Sequence, residues 1–244
     1  MASFLRIGRL ILSAHALLVG RPLALAFPGQ PPAAAEHVEP SFGQVLASFD
    51  GAASSRWHWR VTNDPVMGGL STSSWAVHGA VAVWNGTVKV VPSLRAPGFC
   101  TAATWDGMGI TARFPDVSAF THLLLRVRSR TAAYAGFKVS FAANTLNPQF
   151  KSFKADFALA PTSDWQLVAI PFVPGFSNDW SPYDGECGGK DPTGRTHECC
   201  SKESPKVCAS KRDLAAISQV GLWAEGHAGA FHLEVDRIGA GNAP

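Results

Sequence analysis

Five cysteines and eight histidines are the side chains of this chain best suited to ligate a metal, cycle redox state or act as nucleophiles. Four of the cysteines, Cys187, Cys199, Cys200 and Cys208, fall within residues 177–209, a stretch rich in Gly, Pro and charge that has no hydrophobic alternation. With His197 alongside, such thiolates could hold zinc. The spacing His-x-Cys-Cys-x7-Cys, however, lacks the paired Cys-x2-Cys knuckles of structural zinc sites. The competing chemistry is a pair of disulfides inside the loop, with Cys100 left as a buried thiol; adjacent Cys199 and Cys200 would then bond to different partners. Disulfides are the favoured reading, with connectivity open, and no metal site is assigned. Asn85-Gly86-Thr87 is an N-glycosylation sequon, so Asn85 is a modification candidate. The same Asn-Gly pair between two apolar runs is also a hairpin signal, and turn chemistry alone would explain it.

The sequence carries no Gly-x-Ser-x-Gly elbow, no phosphate loop and no His-Glu-x-x-His. The acids Asp64, Asp106, Asp116, Asp164, Asp179 and Asp184 mostly fall where turns are expected, and there Asp bonds the backbone. A glycosidase-like carboxylate pair assembled by folding would not show at this level. No residue is assigned to catalysis and no cofactor is expected. Charged residues make up 16% of the chain and apolar ones 46%, the balance of a packed globule. The formal charge of +3 resides in Arg6, Arg9 and Arg21, so the chain beyond residue 26 is neutral, which argues against a nucleic-acid partner.

The elements that would position these residues are short strands. Trp75 and Val77, Val81 and Val83, Val88 and Val90 alternate with polar positions. So do Leu123, Leu125 and Val127; Phe137, Val139 and Phe141; and Phe153, Ala155, Phe157 and Leu159. Each pattern predicts one buried and one wet face. Trp165 to Phe172 reads as a further strand, with Pro171 at an edge or strand end. Val220 and Leu222, then Phe231, Leu233 and Val235, close the set, separated at Gly226 and Gly229. One short helix is expected after Ser210, around Asp213 to Ala216. Without long helices for parallel crossovers, the prediction is an all-β, antiparallel β-sandwich.

Residues 1–26 read as a targeting leader: Arg6 and Arg9, an apolar run from Leu10 to Gly20, then Ala24-Leu25-Ala26 before Phe27. The run is too short to span a bilayer, and no later run is long enough, so no membrane span is expected in the mature chain. The expectation is translocation into the secretory pathway by a signal peptide, with onward passage to a plastid as one destination. The alternative is a mitochondrial presequence. Residues 27–41, rich in Pro and Ala, read as a linker or transit remnant, and residues 42–240 as the sandwich domain with the Cys-bearing insert 177–209.

One stretch is more specific than the rest: Trp59-Arg60-Val61-Thr62-Asn63-Asp64-Pro65-Val66-Met67-Gly68-Gly69-Leu70-Ser71. It resembles the opening motif of the complex I intermediate-associated protein 30 family. Gly98-Phe99, the block from Trp165 to Phe172 with Phe176, and the segments Val220–Gly226 and Phe231–Ile238 resemble the family's later blocks. The resemblance covers roughly residues 42–240. It implies a galactose-binding-like jelly roll and a chaperone-like assembly factor that binds protein subunits of a membrane complex, respiratory or photosynthetic. Within the motif, Gly68-Gly69 permits positive φ and a tight turn, and Asn63 and Asp64 can bond backbone amides. Trp59 and Met67 either plug the sandwich or contact a partner, so Trp59, Asn63, Asp64, Met67, Gly68, Gly69 and Ser71 form a loop with two open readings, staple or contact surface. The Cys-bearing insert is no part of that pattern and suits an oxidising lumen. A carbohydrate-binding module is the alternative function, because the same sandwich can present tryptophans to sugar rings.

Overall fold

Alternation drives every second side chain of a strand to one side, and in this protein those sides meet in a single interior. The computed structural model describes residues 41–105, 113–131, 133–143, 152–180, 187–191 and 194–243, apart from the side chains of Val66 and Met67. The leader and the segment that follows it to residue 40 lie outside these residues, as do Asp106 and Asp184.

Among the described residues there are thirteen strands: β1 Gln44–Ser48, β2 His58–Asn63, β3 Thr72–His78, β4 Val81–Val88, β5 Val90–Val91, β6 Ala96–Pro97, β7 Phe99–Trp105, β8 His122–Arg128, β9 Phe137–Ala143, β10 Ser152–Asp156, β11 Gln166–Pro171, β12 Ile217–Glu225 and β13 Gly229–Gly241. The first sheet runs β11-β8-β13-β4-β3, with β1 also paired to β13; the second runs β10-β9-β12-β7-β2. All neighbours are antiparallel. Trp84, Phe137, Phe141, Phe176, Leu123, Leu125, Leu222, Leu233 and Ile238 are fully buried between the sheets. The predicted sandwich is therefore the observed fold. The expected helix is there as one turn, Lys211–Leu214, with Ser210 and Asp213 forming a reciprocal capping box. Among the described residues no helix is long and apolar enough to cross a membrane.

Three local expectations are corrected. Asn85-Gly86 is not a turn: both residues lie inside β4, opposite Ser74 and Ser73 of β3. The hairpin turns instead at Gly79-Ala80, after His78 pairs with Val81, and Gly79 has φ +60°. Gly86 serves a close approach. A Cβ on it would lie 2.4 Å from the Phe231 ring and 2.6 Å from the Thr72 carbonyl oxygen. Asn85 is exposed, on the sheet face turned away from the core. Second, β9 has no wet face: Lys138 and Ser140 are as buried as Phe137 and Val139, for reasons given below. Third, β10 ends at Asp156, yet Phe157 still reaches the core. Strands β1, β2 and β7 add to the predicted set. Replacing Gly86 with Ala should destabilise the fold by about 1–3 kcal/mol, because the buried Phe231 ring and the Thr72 backbone would both have to shift; a lowered urea midpoint would show it.

Candidate functional site

The motif loop is the link between the sheets. It leaves β2, an edge strand of the second sheet, and enters β3, an edge strand of the first. A side edge of the sandwich must be closed there, and Trp59 on β2 stacks on Trp75 of β3 with ring centroids 4.5 Å apart. Phe49 packs against both rings. Asn63, the last residue of β2, reaches across to β3. With its amide nitrogen turned to Ser73 Oγ at 2.7 Å, its oxygen accepts from Ser73 N at 3.2 Å.

Asp64 follows, and its carboxylate is buried. Ser71 N donates to Oδ1 at 2.8 Å and Ser71 Oγ donates to Oδ2 at 2.6 Å. The Ser71 hydroxyl in turn accepts from Lys89 N at 2.9 Å, and Lys89 O accepts from Gly98 N at 2.8 Å. One carboxylate thus anchors the β2–β3 link, the junction of β4 with β5 and the start of β7. Two glycines make room for it. A Cβ on Gly69 would sit 2.2 Å from Asp64 Cγ, and one on Gly98 would sit 1.5 Å from Asp64 Oδ2. Gly68 has φ +78°, the left-handed turn that lets Gly69 N return to Asp64 O at 3.1 Å. Asn63, Asp64, Gly69 and Ser71 are thus brought together with a residue whose role was not assigned from sequence, Gly98. Its only signal was its place in the family pattern. The side chains of Val66 and Met67 lie outside the described residues; of the apolar residues nearby, Val91 is buried, while Leu70 is 55% exposed, Val90 48% and Leu94 41%. The bond from Lys89 to Ser71 lays the loop alongside the β5–β6 hairpin that carries Val90 and Leu94.

The cysteines form two disulfides, Cys187–Cys199 and Cys200–Cys208, so the adjacent pair does part company. Cys100 is a free, buried thiol whose pKa burial pushes up to about 12, leaving it protonated and unreactive at neutral pH. His197 turns from the cysteines to Asp179, Nδ1 to Oδ1 at 2.9 Å. Among the described residues no group of His, Cys, Asp and Glu could hold a metal ion. The segment they staple covers the edge of β10: Ser177 exchanges backbone bonds with Lys154 at 2.8 and 3.0 Å and bridges onward to Cys208. Trp180, held by its Nε1 to Ser177 O at 2.7 Å, then lies over Lys138 and Lys154. Lys154 also pairs with Glu225 at 2.5 Å and Lys138 with Asp156, while Trp223 donates to Ser140 Oγ at 2.9 Å. These contacts turn the wet face expected of β9 into a second buried layer.

Beside this cover an open cleft of about 550 Å³ is lined by Asn178, Asp179, Arg195, Glu198 and Lys206. Its charges are already matched, Arg195 to Asp179 at 2.7 Å and Lys206 to Glu198 at 3.0 Å. Burial raises the Asp179 pKa, but the Glu198 N–H, His197 and Arg195 outweigh it and hold the carboxyl below its usual 3.8.

Two antiparallel sheets packed face to face, with the buried-aspartate loop at their seam, define a β-sandwich. The family description Complex I intermediate-associated protein 30 matches residues 47–178, and the chain belongs to that family. No curated protein matches the chain. Among solved structures it is similar to a family 11 carbohydrate-binding module of a cellulosomal cellulase of Clostridium thermocellum. That likeness has 13% identity, covers 85% of this chain and 98% of the module, and has a TM-score of 0.45. It is also similar to the agarase AgWH50C, at 12% identity over 82% of this chain with a TM-score of 0.48; the chain spans 26% of that enzyme. Against PfGH50B the identity is 7% over 84% of this chain, the TM-score is 0.46, and the chain spans 24% of that protein. At such identities nothing about ligand or activity is read from these likenesses.

Two outcomes are expected. Ser71→Ala, which strips a donor from a buried carboxylate, should cost about 1–3 kcal/mol in urea unfolding, and Gly98→Ala should cost more because it displaces the carboxylate itself. Because the folded pKa of Asp179 is depressed, its contribution holds above the usual carboxylate value and is lost as pH falls through the folded one. The amide-exchange protection of Glu198, whose N–H donates to Asp179 Oδ2, should therefore fall in acid, and Asp179→Asn should flatten that dependence.

Proposed function

We propose that this protein is a non-catalytic, chaperone-like assembly factor that binds subunits of a membrane redox complex, respiratory complex I-like or photosynthetic. Membership of the family named for a complex I intermediate-associated protein supports the class of role. The observation that carries the contact surface is the division of labour in the motif loop. Its polar residues and glycines are consumed inside, and Leu70 is left exposed beside the hairpin bearing Val90 and Leu94. An exposed apolar group on an otherwise polar surface is what a binder of incompletely assembled subunits needs. The working compartment in this reading is oxidising and reached through the signal peptide, in the secretory pathway or a plastid. The two disulfides support it over the mitochondrial alternative.

The glycan reading retains one foothold. Seven of the eight tryptophans are buried or partly covered, packed against other aromatic rings or cations, and Trp105 alone is well exposed, at 44%, with the Arg60 guanidinium 5.1 Å from its ring. Gentle affinity purification of the tagged protein from its native cell decides between them. Subunits of a respiratory or photosynthetic complex should co-purify, and should be lost from a Leu70→Asp, Leu94→Asp variant whose melting temperature is unchanged. Recovery of the protein alone, together with retention on a polysaccharide column that Trp105→Ala abolishes, would sink the assembly role in favour of glycan binding.

A further inference from the structure

The outer face of the first sheet bears a strip of arginines that neither the motif loop nor the Cys-bearing segment explains. Arg126 and Arg128 are alternate residues of β8, and Arg130 follows just beyond its end. In register with them on β13 are Arg237, opposite Arg126, and Glu234, opposite Arg128. The register shifts between Val235 and Arg237, and this bulge places Asp236 within reach of the same strip.

Two sunken carboxylates fix the arginines. Glu234, whose side chain is 5% exposed, meets Arg128 Nη2 at 2.5 Å and Arg130 Nη2 at 3.4 Å, with His232 Nε2 at 3.5 Å. Asp236 accepts from Arg126 Nη1 at 3.1 Å and from Arg237 Nε at 2.7 Å. Trp165 lies against the guanidinium groups of Arg126 and Arg128, at 5.3 and 4.6 Å. Stacking holds a guanidinium flat and leaves its N–H edge free to take a carboxylate. Glu234 and Asp236 are the only acids in the six strands of this sheet, and four guanidinium groups share them. The result is an excess of positive charge on one face of a body that is formally neutral overall.

We propose that this strip docks an extended acidic segment of a partner polypeptide. Alternate residues of an extended chain recur roughly every 6.6–6.8 Å, the period at which β8 presents Arg126 and Arg128. A segment with an acid at every second position, laid along β8, would meet the row in register, its carboxylates accepting from the guanidinium N–H groups that Glu234 and Asp236 leave unused. The strip is only two strands wide. It is flanked by neutral Val83 and Asn85 on β4 and by Leu167 and Ala169 on β11, so it fits a single extended chain better than the breadth of a bilayer or duplex. This surface is separate from the apolar end proposed above for client contact, and the two stand or fall independently.

The test is fluorescence titration of the full chain at low ionic strength with a labelled peptide of alternating Glu and Thr. Controls are a peptide of the same composition with its glutamates contiguous, and phosphatidylserine vesicles. The alternating peptide should bind more tightly than the block peptide and be released by salt. The double variant Arg126→Gln, Arg130→Gln should weaken it roughly tenfold or more with an unchanged melting temperature. That variant leaves Asp236 with Arg237 and Glu234 with Arg128, so no buried carboxylate is stranded. No binding of the alternating peptide, equal binding of both peptides, indifference to the double variant, or capture of vesicles without peptide would each overturn the proposal.

Discussion

A buried carboxylate that has room only because two glycines, one from its own loop and one from a distant strand end, close on it is the constraint on which this sandwich turns. Asp64 cannot be desolvated unless Ser71 donates to both its oxygens, and Ser71 cannot do so without the left-handed turn at Gly68. Gly69 and Gly98 then close on it so tightly that no side chain could be added to either. The charge is not there to be used. It is an assembly key: the first sheet, the second sheet and the β5–β6 hairpin are in register when its hydrogen bonds are complete. Burying charge for this purpose is costly, and a loop that does so gains a single conformation in return. That rigidity presents Leu70 and its apolar neighbours in a fixed arrangement.

The Cys-bearing segment solves a different problem by similar means. Strand β10 ends the second sheet, and an open edge is a template for pairing with another chain. Ser177 occupies that edge, and Trp180 roofs the lysines that β9 and β10 turn away from the core. Two disulfides tie together a segment that has little regular structure to hold it. The lysines so covered are paired, Lys138 with Asp156 and Lys154 with Glu225.

The strands were legible where alternation was clean, as in β8 and β13, and the sandwich followed from their number and the lack of long helices; in β4 the faces came out inverted, with Ala82 and Trp84 buried in place of Val81 and Val83. Strand β7 is hard to read because Thr101, Ala103 and Thr104 dilute its period, and β2 because the alternation of Trp59 and Val61 with Arg60 and Thr62 spans only two repeats. Asn85-Gly86 misled because the local turn signal of Asn-Gly was outweighed by a distant ring: Phe231 requires a glycine at that spot and says nothing about turning. The cover over β9 was invisible because the residues that provide it are more than thirty positions away in an irregular segment. The motif loop was recognised as a pattern, yet its physics depended on Gly98, which no local rule connects to Asp64. The arginine strip was hidden in the same way, since Arg126 and Arg237 become neighbours only through the pairing of β8 with β13.

That pairing has one more implication, for the order of events in the cell. Strand β13 is the last of the thirteen in sequence, yet it is the spine of the first sheet, touching β1, β4 and β8. A chain emerging from the ribosome can form the β3–β4 hairpin early, but its first sheet has no centre until residues 229–241 arrive. Until then β1, the earliest strand, has nothing to pair with. The first sheet is thereby kept open through nearly the whole of the chain's synthesis, and it closes only when its last strand arrives.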